Sequence, residues 1–150
     1  MILKFYETKK IDTSKSKIIL FYGKNDRQIK DTVDHLVNKK ELLNYEQNEI
    51  IEKNKDFYDE IYTKSLFGES RAIIIKRVSD KILNIIQEIN TSKIEDTVII
   101  LIADALDKRS KLRSAFEKDK NFICIAFYPN NKETLGKLAS NFFRDNKISI

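Results

Sequence analysis

The stretch Thr97-Val98-Ile99-Ile100-Leu101-Ile102-Ala103 is apolar at every position after the first. Its shortness and its β-branched side chains read as a strand rather than a buried helix. A strand with one face in water would alternate between apolar and polar residues, and this one does not. Both faces of its sheet are therefore covered, which is the condition of a parallel sheet with helical crossovers.

Working outward, the same grammar repeats. IILFYG (18–23) reads as a buried strand, and Asn25 or Asp26 caps a helix with the stripe Ile29, Val33, Leu36 and Val37. YEQNEI (45–50) is the weakest strand. Asn54 caps a short helix carrying Phe57, Tyr58, Ile61 and Tyr62. RAIIIKR (71–77) supplies a strand, and Val78, Ile82, Ile85, Ile86 and Ile89 form the next helical stripe. Beyond residue 103, Asp107 caps a helix with Leu112, Ala115 and Phe116 inward, and FICIAF (122–127) is another buried strand. Pro129 closes that unit, and Asn131 caps a last helix with Leu135, Leu138, Ala139, Phe142 and Phe143 on one face. Five strands alternating with helices predict an α/β fold: a five-stranded, mainly parallel sheet with helices on both faces.

Composition narrows the function. A chain of 150 residues, 41% hydrophobic and 34% charged, is one domain's worth of globular protein. No apolar run approaches the ~20 residues that span a bilayer, and MILKFYETKK is charged too early for a signal peptide. A lone Cys124 makes no intramolecular disulfide, so a cytoplasmic protein without membrane contact is expected. The net charge of +5 invites a nucleic-acid reading, but its basic residues are interleaved with acids along the chain. One His and one Cys supply no zinc set, and His35 lies in a helical stretch with no nucleophile motif beside it. Neither a metal nor a cofactor is expected.

A strand-Gly-helix opening raises the question of a phosphate loop. The pattern GxxxxGK[ST] needs glycines that let backbone N–H groups wrap phosphates, and a hydroxyl that holds magnesium. Gly23-Lys24 looks like its end, yet no glycine lies upstream, Asn25 replaces the hydroxyl, and Asp26 adds a repelling charge. With three glycines in the chain (Gly23, Gly68 and Gly136), no glycine-rich loop can be built, and GxGxxG fails likewise. Asp104 ends its strand where a magnesium-binding aspartate would stand, but Ala105 follows where a second carboxylate would activate water. The outline is that of a P-loop ATPase stripped of its phosphate chemistry. A nucleotide-dependent enzyme working through Lys24 and Asp104 is the rival reading, and a nucleic-acid-binding module using Lys108, Arg109, Lys111 and Arg113 is another.

Between a helix and the third strand stands SLFGES (65–70). A Leu-Phe pair in a connection needs a reason. From the residues alone it reads either as core folded over Phe57 and Ile61 or as an exposed anchor.

That segment, with the turn FYGKND, KSLFGESRAIIIKR, TVIILIADALDKRSKLRSAFEK and FICIAFYPNNKETLGKLASNFF, resembles the N-terminal domain of the delta subunit of bacterial DNA polymerase III. This is the clamp-loader subunit that opens the sliding clamp. The most specific match is SLFG followed by the apolar strand. The resemblance implies a RecA-like AAA+ domain with a degenerate P-loop over 1–129 that neither binds nor hydrolyses ATP. It implies the start of a helical second domain at 130–150, and further on a collar through which other loader subunits assemble. It also implies that Leu66 and Phe67 insert into a hydrophobic pocket of the clamp, flanked by Ser65, Gly68, Ser70 and Arg71. No catalytic site is expected in this chain, only a place within a nucleotidyltransferase holoenzyme in the bacterial cytoplasm. DNA would be met inside the assembled complex, with Lys108, Arg109, Lys111 and Arg113 as candidate contacts.

Overall fold

The computed structural model describes residues 1–11, 18–63, 70–92 and 96–128. The predicted helix after Pro129, and Ser65, Leu66, Phe67 and Gly68, lie outside the described residues.

Six strands form one sheet: β1 (Ile2–Lys4), β2 (Ile18–Gly23), β3 (Glu41–Glu46), β4 (Arg71–Lys76), β5 (Thr97–Ala103) and β6 (Phe122–Phe127). Their order is β1-β6-β2-β5-β4-β3, and every pairing is parallel. The central pair β2 and β5 are the two strands that read most clearly as apolar. Leu20 lies beside Leu101 on one side and Cys124 on the other, and all three are buried.

The expectation of five strands is corrected to six. β1 has three residues and a single buried side chain, Leu3, which is too little signal for a periodicity reading. The weak strand is also moved: it covers 41–46, while Gln47–Glu52 is helix α2. As an edge strand β3 buries none of its side chains fully, so its pattern was faint.

Helices α1 (Asp26–Leu36), α3 (Asn54–Tyr62), α4 (Leu83–Ser92) and α5 (Lys111–Lys118) complete the fold. Ile29 and Val33 of α1 pack on one face of the sheet with Ile19, Phe21, Ile100 and Phe127. The opposite face is covered by Phe57 and Ile61 of α3, Ile86 and Ile89 of α4, and Leu112 and Phe116 of α5. Phe116 stacks on Phe122 at 4.5 Å, and Phe21 meets Phe127 edge-on at 5.3 Å. Each such buried side chain is worth roughly 1.5–3 kcal/mol.

Of the three caps expected for α1, α3 and α5, one is found and two differ. Asn25 is the cap of α1, accepting from the Gln28 N–H at 3.2 Å. Asn54 is the first residue of α3 rather than its cap, and Lys53 ahead of it makes no side-chain cap. Ser110, not Asp107, caps α5, accepting from the Arg113 N–H at 3.1 Å. Asp107 instead accepts from the Arg109 N–H two residues on, a local turn that competes with capping. Cys124 is buried, and burial pushes its thiol up to about 12, so it is a protonated core residue. His35 is exposed on α1.

Candidate functional site

In an open parallel sheet the crevice at the carboxyl ends of the strands, where the winding reverses, is the natural ligand site. Here that point lies between β2 and β5. The chain leaves β2 through α1 on one face, and leaves β5 through α5 on the other.

The turn after β2 is filled by the protein's own groups. Gly23 adopts φ +123°, and a Cβ there would lie 1.8 Å from the Phe127 carbonyl oxygen. Its N–H donates to the Asp104 carbonyl at 3.2 Å, joining the ends of β2 and β5. The Asn25 amide nitrogen donates to Gln28 Oε1 at 3.0 Å and to the Tyr128 carbonyl at 3.1 Å, while its oxygen caps α1. Asp26 places a carboxylate in the first turn of α1, where the helix dipole would otherwise favour a bound anion. Lys24 and Asp104 are both exposed.

On the other face, Arg113 lies over the Tyr22 ring, 5.2 Å from its centroid. It also donates to Glu117 Oε1 at 2.6 Å and to the Leu106 carbonyl at 2.9 Å. The hydrogen bond it donates to Glu117 holds the guanidinium above its ordinary pKa. Burial raises the Tyr22 hydroxyl to about 12. Of the four basic residues after β5, Lys108, Arg109 and Lys111 are exposed, and Arg113 is turned inward onto this cluster.

The start of α5 is also held from outside its own sequence. Asp80 Oδ1 accepts from Ser110 Oγ at 2.7 Å and from the Leu112 N–H at 3.1 Å. The Ser110 bond, with that of Leu112, holds the Asp80 carboxyl below its ordinary value. Folding therefore favours the ionised form. The contribution is complete above the unfolded-state pKa of about 3.9 and is lost as pH falls through the lower folded-state value. Asp80→Asn is expected to lower the urea midpoint at neutral pH. Its gap to the parent should close as pH falls below the unfolded-state value and through the lower folded-state one. A gap that persisted unchanged at the acid end would assign the effect to packing instead.

One feature had no sequence signal. A groove of about 500 Å³ runs between α1 and the carboxyl ends of β3, β4 and β5, lined by Asp26, Lys30, Leu42, Lys76, Arg77 and Asp104 among others. It exists because α1 covers only part of its face, a property of strand order that no local window contains. Among the described residues, no group of three or more His, Cys, Asp or Glu could hold a metal ion. No helix among them is long and apolar enough to cross a membrane.

Around the Leu-Phe segment, the structure places the flanks. The last turn of α3 ends with the Thr63 N–H and hydroxyl both donating to the Asp59 carbonyl, at 3.2 and 2.6 Å. Ser70 is exposed, and its carbonyl accepts from the Glu41 N–H at 2.9 Å. Arg71 is buried, at 8% exposure, with its guanidinium against the end of α3.

These features define a doubly wound parallel α/β protein in which the turn after β2 is bonded to the ends of β5 and β6. The chain belongs to the DNA polymerase III, delta subunit, family, whose model matches residues 19–126. The Bacillus subtilis DNA clamp loader delta protein (YqeN) has a similar fold, with a TM-score of 0.70 and 19% sequence identity. The alignment covers 93% of this chain and 46% of that one, so the chain spans about half the length of that protein. No match was found among curated proteins.

Proposed function

We propose that this chain is the clamp-binding part of a clamp-loader delta subunit, a RecA-like AAA+ domain with a degenerate P-loop. Residues 1–129 would form that domain and 130–150 the start of a helical second one. It binds the sliding clamp, the beta subunit, through Leu66 and Phe67, with Ser65, Gly68 and Ser70 beside them, and favours the open ring. Opening requires no nucleotide chemistry in this chain: a ligand shifts an equilibrium by its differential affinity for the two states. Other loader subunits assemble through parts of the protein beyond this chain. In the assembled cytoplasmic complex Lys108, Arg109 and Lys111 face DNA, while Arg113 supports them from within.

The observation that carries this reading is the self-bonded turn after β2, within a chain of the delta family. The Asn25 side-chain oxygen accepts from the Gln28 N–H, one of the α1 donors that a phosphate would use, and its nitrogen donates to the Tyr128 carbonyl. Arg113 closes the other side over Tyr22. This favours a binding subunit over the nucleotide-dependent enzyme that Lys24 and Asp104 would serve.

A nucleotide at about a hundred times its Kd would stabilise a binder by about 2.7 kcal/mol. For a chain of this size that is a rise of roughly 5–10 °C in the melting midpoint. Mg-ATP is expected to move the midpoint by less than about 1 °C and to leave calorimetric binding to the clamp of the same organism unchanged. A shift of several degrees, or clamp affinity that depended on ATP, would restore the enzyme reading.

A further inference from the structure

Arg71 is the first residue of β4, yet its side chain reaches back to the helix before it. Nη1 donates to the Glu60 carbonyl at 3.0 Å, and Nη2 donates to the Ile61 carbonyl at 2.8 Å and to Thr97 Oγ1 at 3.5 Å. The last carbonyls of a helix lack partners within it and carry the negative end of its dipole. A buried guanidinium across two successive carbonyls answers both needs. The planar fork makes this possible, since an ammonium is a point donor.

The consequence lies in what Arg71 brackets. Its backbone is fixed in the sheet, with its N–H donating to the Asp96 carbonyl at 2.9 Å, and Thr97 lies in the central strand β5. The side chain thus ties the end of α3 to the sheet, across the ten-residue separation from Ile61 to Arg71 that contains Leu66 and Phe67. Fixing both ends of a short connection removes conformations from everything between them. Pre-organising a binding segment in this way raises affinity without adding a contact.

We propose that Arg71 is a positioning residue for clamp binding. It does not touch the clamp; it fixes the point at which the chain leaves α3 and re-enters β4, and so holds Leu66 and Phe67 ready to bind. This inference rests on the clamp-binding reading above. It also gives a buried Arg in a delta-family chain a role distinct from that of its exposed neighbour Ser70.

The test is Arg71→Met in this chain, checked for fold by circular dichroism, with two readouts. The first is clamp binding by surface plasmon resonance. If the binding-competent population falls to about a tenth, the apparent Kd rises about tenfold, through slower association. In a Leu66→Ala/Phe67→Ala background, Arg71→Met is expected to add no further loss. The second readout is amide hydrogen exchange, expected to quicken in the last turn of α3 while β5 and β6 keep the parent's rates.

Should Arg71→Met fail to fold, Arg71→Lys keeps the charge without the fork and is read in the same two ways, with a smaller effect expected. Folded Arg71 variants that bind like a wedge-dependent parent would overturn the role of Arg71 alone. A uniform rise in exchange through the sheet would overturn it too, by showing a purely global contribution to stability. Parent binding that ignored Leu66→Ala/Phe67→Ala would overturn the clamp-binding reading and this role together.

Discussion

Leu66→Ala/Phe67→Ala is expected to weaken binding to the sliding clamp by about two to four orders of magnitude. Full burial of a Leu and a Phe is worth roughly 1.5–3 kcal/mol each. At ~1.4 kcal/mol per decade, the pair accounts for that range. Two apolar anchors beside small or polar neighbours such as Ser65, Gly68 and Ser70 are the composition of an interface hot spot. The core beneath α3 is already supplied by Phe57 and Ile61, which are 2% and 1% exposed and pack with Tyr45, Ile73 and Ile75. The double variant should therefore keep the parent's circular dichroism spectrum and its cooperative melt. Isothermal titration calorimetry against the clamp of the same organism separates the outcomes. Binding that vanishes in a folded variant supports the pair as anchors, and binding that survives would move the interface elsewhere. A variant that lost its fold would return Leu66 and Phe67 to the core.

How much of this was legible in the residues depended on where each signal resides. β2, β5 and β6 are sandwiched between layers, so nearly all their side chains are buried and they read as continuous apolar runs. The stripe of α1 was equally plain, since Ile29 and Val33 face the sheet and Asp34 and His35 face water. The edge strands carried little information because an edge is only half packed. Gln47 shows the limit well: it looked like a strand residue, but it is buried at the start of α2. There its amide oxygen accepts from the Ser79 N–H at 2.6 Å and its nitrogen donates to Ser79 Oγ at 2.9 Å. That partner is thirty-two residues away, beyond any local pattern. The caps were legible in part. Asn25, one of two candidates for α1, is its cap, whereas at α5 Asp107 was expected and Ser110 takes the role, held by Asp80 from a distant part of the chain.

The crevice was half legible. The missing glycines and the Asn25 substitution told what the turn after β2 lacks. What replaces the missing chemistry, Asn25 bonded to Tyr128 and Arg113 over Tyr22, needed β6 and α5 brought beside β2. Arg113 had read as one of four solvent-facing basic residues, because helix spacing alone does not say that Tyr22 waits beneath it.

Gly23→Ala is the substitution with the largest expected cost to stability, and it turns on a glycine that a phosphate-loop reading would misassign. A glycine ending a strand before a helix is ordinarily explained by ligand approach. Here the constraint is internal: Gly23 pairs beside Phe127 in the β2–β6 ladder, and the missing Cβ is what lets the Phe127 carbonyl oxygen come so near. Backbone strain at φ +123° costs about 1–3 kcal/mol for a residue with a side chain. Overpacking against backbone, which cannot rotate away as a side chain would, adds about 1–3 kcal/mol. Together these remove roughly 2–6 kcal/mol from a folded state that has only about 5–15 kcal/mol in hand. The expected result is a urea midpoint sharply lower than the parent's, with the same far-ultraviolet spectrum before the transition. Mg-ATP should not change the size of that loss. A phosphate-binding glycine would behave in the opposite way, with a modest loss of stability and a pronounced loss of nucleotide response. Gly23→Ala with near-parental stability would mean that the β2–β6 junction yields, and that the close approach of Phe127 is not what fixes glycine at position 23.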